Sequence, residues 1–262
     1  MVFAPVGIRC PDHASTDARR ARPAPRQAGR QLLASGDAIV TRALVIINVG
    51  VFFLCLMEGG TLNDTAQGRF FVDGALIGHG FLTNGQAIGV AEGEWYRVFT
   101  SMFLHASLIH VGLNMLMLYW IGTPMERAVG HLRFLLIYLV SGLCASAAVL
   151  VFAGDVPTVG ASGAIFGILG AALVYERQHT MVLGGAAFSI IAINVLFSFV
   201  GPNISIAGHL GGLAGGALCA LALTQLGRVH ASYGRPGLLG FAGVAAVALG
   251  AVMVSYMAVQ SY

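Results

Sequence analysis

The sequence predicts an all-α fold, a polytopic bundle of membrane-spanning helices. Two compositional facts and one pattern lead there. Of 262 residues, 57% are hydrophobic and only 10% charged, with a mean hydropathy of +0.81. A water-soluble domain carries about 25% charged residues, so a soluble fold is excluded. The pattern is a recurrence of apolar stretches near the ~20 residues that a ~30 Å hydrocarbon core demands. They lie at about 38–57, 104–123, 133–153, 160–175, 181–201, 204–226 and 237–259, which predicts seven spans.

Before the first span lies an Arg-rich tail, residues 1–36. All 14 basic residues are Arg, and six of them (Arg9, Arg19, Arg20, Arg22, Arg26, Arg30) fall here, so the net charge of +3 reflects a local segment. No nucleic-acid partner is expected, because such binders present a dense basic surface. The tail has few large apolar residues and reads as disordered. It lacks the apolar core of a secretory signal, and its Asp12 and Asp17 fit a mitochondrial transit peptide poorly. Between the first two spans, residues 58–103 mix polar and apolar residues, with Trp95, Tyr96 and Phe99 near the end. A partly membrane-embedded loop is expected there. Four cysteines (Cys10, Cys55, Cys144, Cys219) stand singly, so neither a disulfide framework nor a zinc site follows.

Orientation follows from positive charge, which concentrates on cytoplasmic segments. With the N-terminus inside, the inner segments hold twelve Arg and the outer ones only Arg69 and Arg97. A multi-pass protein with a cytoplasmic N-terminus, an outward-facing first loop and an outward C-terminus is expected. The absence of Lys beside abundant Ala, Gly and Arg suggests a GC-rich bacterial genome, hence a plasma membrane.

Polar groups inside spans are costly and mark function. Three of the eight His lie in spans: His105 and His110 in the second, His209 in the sixth. Asn114 follows His110 by four residues and shares its helix face. Ser162 opens the fourth span in Gly160-Ala161-Ser162-Gly163. With 1.5 Å rise per residue from charged anchors at the inner interface, Ser162, His110, Asn114 and His209 stand at heights of about 21, 24, 18 and 28 Å. Four polar groups from three helices thus share one layer of the outer half. The 16-residue fourth span is about 24 Å long, too short for the core, so Ser162 sits in a recess.

Glycines predict which helices touch. Gly163 and Gly167 on the fourth span and Gly208, Gly212 and Gly216 on the sixth form small-residue stripes that permit close backbone approach. Ser162 and His209 lie at matching ends of these stripes. A serine hydroxyl needs a base to become a nucleophile, and His209 is the base available. No carboxylate lies at this depth, so another group must orient the imidazole. Phe166, one turn below Ser162, is placed to pack on it. The Asn114 amide, the His110 imidazole and the Ser162 N–H are candidate oxyanion donors, aided by the positive end of the fourth helix.

His105-x4-His110-x3-Asn114, Gly160-Ala161-Ser162-Gly163 and Gly208-His209-Leu210-Gly211-Gly212 resemble the signatures of rhomboid intramembrane serine proteases. The resemblance covers about 38–226, the family's six-helix core, and the last span resembles that of its six-plus-one subgroup. It implies division into a tail (1–36), a six-helix core (37–226) and an additional helix (227–262). It also implies a Ser162 nucleophile, a His209 base, an oxyanion site of His110 and Asn114, and support from His105 and Gly160. Gly122-x3-Glu126-x3-Gly130 is similar to the family as well. Two departures stand out: Trp95-Tyr96-Arg97 where the family usually has Trp directly before Arg, and Phe166 where some members have Tyr.

Rival activities lack their residues. A zinc protease needs His-Glu-x-x-His on a span, an aspartyl protease two intramembrane Asp, and a proton-coupled transporter a carboxylate in the bundle. Glu126, Arg127, Glu176 and Arg177 read as topogenic interface charges. The remaining alternative is a catalytically inactive relative that binds membrane clients, although this chain keeps both Ser162 and His209. The expected partners are transmembrane protein substrates and the lipid bilayer, with no cofactor and no metal.

Overall fold

The computed structural model describes residues 2–4, 7–9, 37–200, 204–226 and 237–262. The chain divides into two compact units, Met1–Asp37 and Ala38–Tyr262. In the first, Val2–Ala4 (β1) and Gly7–Arg9 (β2) pair antiparallel with Val2 opposite Arg9. The remainder of the Arg-rich tail, for which disorder is expected, lies outside the described residues.

The second unit is helical. Its helices are α1 (Ile39–Met57), the short loop helices α2 (Arg69–Gly74) and α3 (Arg97–Thr100), α4 (Leu108–Val129), α5 (His131–Ala153), α6 (Ser162–Arg177), α7 (Ala187–Val200), α8 (Ile206–Leu221) and α9 (Leu238–Val259). A π-helical turn, Ala222–Leu226, prolongs α8. Among the described residues, α1, α4, α5, α9 and α8 with its turn are long and apolar enough to cross a membrane. The other two expected spans form shorter helices, α6 of 16 residues and α7 of 14. This is a polytopic helical membrane protein.

Polar residues and glycines set the helix boundaries. Ser107 accepts the His110 N–H and caps α4, and Ser205 accepts the Gly208 N–H and caps α8. Gly130, at φ +87°, reverses the chain between α4 and α5 in a single residue. The helix expected over 181–201 begins six residues later, at Ala187. Gly184 and Gly185 adopt φ +66° and +86°, and the Leu183, Gly185 and Ala187 N–H groups turn toward the Glu176 carboxylate, breaking the helical path.

Helix α6 is the central element: twelve of its sixteen residues are buried. It meets α8 backbone to backbone. A Cβ on Gly212 would collide with the Gly163 carbonyl and one on Gly216 with the Gly167 carbonyl, while one on Gly163 would stand 3.3 Å from the Gly208 carbonyl. The adjacent face of α8 is equally stripped. Gly211 and Gly215 leave room for Ala148, Cys144 and the α5 backbone. These contacts fix the depth of α8 against α6, and with it that of their side chains.

Large apolar residues such as Ile46 and Phe53 of α1, Phe197 of α7 and Met253 of α9 remain exposed on the outer faces. In water that surface would drive aggregation; against lipid it is the required solvent face.

The segment expected as a loop is ordered by one cation. Arg97 is 1% exposed; its Nε donates to Glu94 Oε2 at 2.7 Å, and its Nη1 donates to the Val72 and Ala75 carbonyls at 2.7 and 2.9 Å. A small hairpin, Gly80–Phe81 (β3) with Ala87–Ile88 (β4), completes the segment. At the other end of the chain Tyr262 donates its hydroxyl to the Leu150 carbonyl, 3.0 Å away, and Trp95 stacks near Tyr256 of α9.

Candidate active site

Ser162 begins α6, where the first N–H groups have no partner within the helix. Gly160 precedes it at φ +130°, a conformation open to glycine and poorly tolerated by other residues, and its N–H donates to the Ser101 carbonyl at 2.9 Å. The Ala161 N–H points to His105 Nε2 at 3.5 Å. His105 is fully buried, and its own carbonyl accepts the Thr65 hydroxyl. The turn carrying Ser162 is therefore held from two sides before the helix starts.

Across the helix pair, His209 Nε2 lies 2.8 Å from Ser162 Oγ. The imidazole is pinned on one flat face by Phe166, at a centroid distance of 4.1 Å and 14° between planes. His209 is 8% exposed while Ser162 is half-buried, so the hydroxyl is the accessible member of the pair. The glycine stripes predict this approach of Ser162 and His209 to hydrogen-bonding distance.

On the open side of Ser162 stands His110. A Cβ placed on Gly160 would be 2.8 Å from His110 Nε2 and 3.7 Å from Ser162 Oγ, so all three border one small space. Asn114 lies one turn further along α4. Its Nδ2 donates to the His110 carbonyl at 2.9 Å, which occupies one of two amide hydrogens and leaves the other. His105 and His110 contact edge to face at 5.1 Å. Ser162, His209, His110, His105 and Gly160 are thus linked around the start of α6, while Asn114 bonds the His110 carbonyl one turn away on the same helix. Among the described residues no cluster of His, Cys, Asp or Glu has metal-binding geometry.

Residues 92–226 match the family model described as the Rhomboid domain, which spans half of the chain. The chain belongs to the rhomboid family. It is 38% identical over 193 residues to Rhomboid protease GluP of Bacillus subtilis (strain 168), covering 72% of this chain and 36% of that protein. To RHOMBOID-like protein 1 of Arabidopsis thaliana it is 32% identical, over 67% of this chain and 51% of the relative. To Rhomboid protease AarA of Providencia stuartii it is 27% identical, over 71% and 73%. The chain thus spans about a third of GluP and half of the plant protein.

The two departures from the usual rhomboid pattern now have structural readings. Arg97 is buried and anchored although Tyr96, not Trp, precedes it, and the neighbouring Trp95 and Tyr96 stay partly exposed. Phe166 keeps the ring that stacks on His209 without a hydroxyl.

Two acidic residues need correction. Glu126 and Glu176 are not topogenic surface charges; both are buried, at 1% and 9% exposure. Glu126 accepts the Val40 N–H at 2.9 Å and the Thr41 N–H and hydroxyl at 2.7 Å, and pairs with the His131 ring. It supplies from α4 the acceptors that the first turn of α1 lacks. Gly122 clears the way, since a Cβ there would press on Thr41 at 3.2 Å. Glu176 does the same for α7 through Leu183, Gly185 and Ala187.

One residue beside His209 is not among the candidates named from the sequence. Ser198 of α7 places its Oγ 2.6 Å from His209 Nδ1. The available signal was Asn194 and Ser198, polar and four apart in the apolar second half of the helix.

Proposed function

We propose that this rhomboid is an intramembrane serine endopeptidase that cleaves membrane-anchored proteins within or beside their transmembrane helix. The 2.8 Å contact between Ser162 Oγ and His209 Nε2 carries the reading. As Ser162 Oγ bonds to the scissile carbonyl carbon, its proton passes to His209 Nε2 and the carbonyl electrons move onto oxygen. The resulting oxyanion faces the His110 Nε2–H, the free Asn114 amide hydrogen and the Ser162 N–H. When the C–N bond breaks, His209 gives that proton to the leaving amine. A water then loses a proton to His209, attacks the acyl ester, and Ser162 recovers its hydroxyl as the new carboxylate departs.

A peptide bond within a helix has its carbonyl engaged and its sides shielded, so the substrate must unwind first. Gly and Pro make that cheapest, by about 1 and 3 kcal/mol relative to Ala. Gly160, which borders both Ser162 and His110, favours a small residue at the scissile carbonyl. The test is cleavage of single-span substrates in liposomes. Replacing an outer-end Gly or Pro by Leu should slow cutting, and equal rates, or a preference for unstructured soluble proteins, would refute this selectivity.

The proposed setting is a bacterial plasma membrane with the N-terminus cytoplasmic, 37–226 as the protease core and 227–262 as an appended helix. The asymmetry of Arg supports that orientation. In a cysteine-free background, a cysteine at Asp73 should react with impermeant maleimide in intact cells and one at Arg177 only after permeabilisation. The opposite pattern would reverse the orientation. An inactive, client-binding rhomboid is the less favoured reading, because both members of the Ser–His pair are in contact.

A further inference from the structure

We infer that Ser198 is the positioning residue that holds the His209 imidazole in the tautomer able to act as base, in the place where other serine proteases use a carboxylate; this rests on the protease reading above. A serine hydroxyl carries one proton and two lone pairs, so it can donate only once. Ser198 Oγ has two neighbours: the Asn194 carbonyl at 2.8 Å and His209 Nδ1 at 2.6 Å. A carbonyl can only accept. If the Ser198 proton pointed to His209, two oxygens would face each other at 2.8 Å with no hydrogen between them, which is repulsive. The proton therefore lies toward Asn194, and the Ser198 oxygen turns a lone pair to the ring.

That assignment propagates. Nδ1 must carry the imidazole hydrogen and donate it to Ser198, which leaves Nε2 with a free lone pair facing Ser162. The protons then run in one direction, from Ser162 to His209 to Ser198 to the Asn194 carbonyl. The reversed chain would protonate Nε2 and leave Ser162 without a base. Ser198 is 4% exposed, so water does not compete freely for Nδ1. Its backbone belongs to α7, whose first turn is fixed by Glu176, so the acceptor is held by a helix other than those bearing Ser162 and His209. When His209 becomes cationic during the reaction, the same oxygen continues to accept from Nδ1.

Two readouts on the full chain in detergent test this. With [15N]histidine labelling and a His209→Gln sample for assignment, His209 in the resting protein should show hydrogen on Nδ1 and none on Nε2. In Ser198→Ala the ring should become a mixture of tautomers. The maximal rate at which a fluorophosphonate inactivates the protein through Ser162 is the second readout: relative to the unmodified protein it should fall by ~10-fold or more in Ser198→Ala, with the half-saturating concentration unchanged. Ser255→Ala, which removes a hydroxyl making the same local bond to the Ala251 carbonyl in α9, should react like the unmodified protein. A proton on Nε2 in the resting protein, or unchanged inactivation of Ser198→Ala, would overturn the assignment. Failure of the unmodified protein to react at all would instead refute the dyad, and the tautomer spectrum would still decide the role of Ser198.

Discussion

The Ala106 N–H lies 3.3 Å from His110 Nδ1, so that nitrogen is the acceptor and the His110 hydrogen sits on Nε2. Nε2 is the atom that borders Gly160 and Ser162. His110 thus presents a donor, not an acceptor, where an oxyanion would form. In the proposed mechanism Asn114 would add its second amide hydrogen, the first being given to the His110 carbonyl.

The expected consequence is a loss in turnover without loss in binding. Asn114→Ala should lower kcat by roughly 10- to 1000-fold and leave KM nearly unchanged. Steady-state cleavage of a single-span substrate checks it. A raised KM with intact kcat would make Asn114 a binding residue.

Helix contact through bare backbone should be intolerant of one methyl group. Gly212→Ala and Gly216→Ala drive a Cβ into the Gly163 and Gly167 carbonyls, and overpacking of this kind costs about 1–3 kcal/mol. Gly50 of α1 faces open space, and Gly50→Ala should be neutral or stabilising by up to about 1 kcal/mol through helix propensity. Thermal unfolding in detergent separates them: lower Tm and slower cleavage for the first two, neither for the third.

Acid sensitivity should localise to the loop anchored by Arg97. Burial works against ionisation of Glu94, but hydrogen bonds from Arg97 and the Gly89 N–H outweigh it and hold the carboxyl below its ordinary pKa. A carboxyl with a lowered folded pKa stabilises the fold above its unfolded value, near 4, and that contribution fades as pH falls through the folded value. Glu94→Gln should therefore have a lower Tm than the unmodified protein at pH 7, with the gap closing below about pH 4. A gap independent of pH would assign the effect to packing.

Much of this arrangement was legible because helix rise converts residue counts into depth. That arithmetic placed Ser162, His209, His110 and Asn114 in one layer, and glycine spacing named the two helices that touch. Ser198 stayed hidden because a hydroxyl on an apolar helix carries no charge to draw attention, and its role depends on where α7 lies beside α8. Glu126 and Glu176 were misread for a related reason. Each caps the start of another helix, Glu126 by bonding Thr41, 85 residues earlier in the chain, and only tertiary packing reveals such a pairing. The late start of α7 has the same origin, since the Glu176 carboxylate competes for the amides that would extend it.

The central claim is that Ser162 is a nucleophile activated by His209, and covalent labelling tests it most directly. A fluorophosphonate should modify the unmodified protein at a single site, mapped to Ser162 by mass spectrometry of the digested chain. Ser162→Ala and His209→Ala should each remove labelling and cleavage, and the double variant should be no worse than either alone, since the pair acts as one unit. Labelling at another serine, or cleavage that persists in Ser162→Ala, would contradict the account.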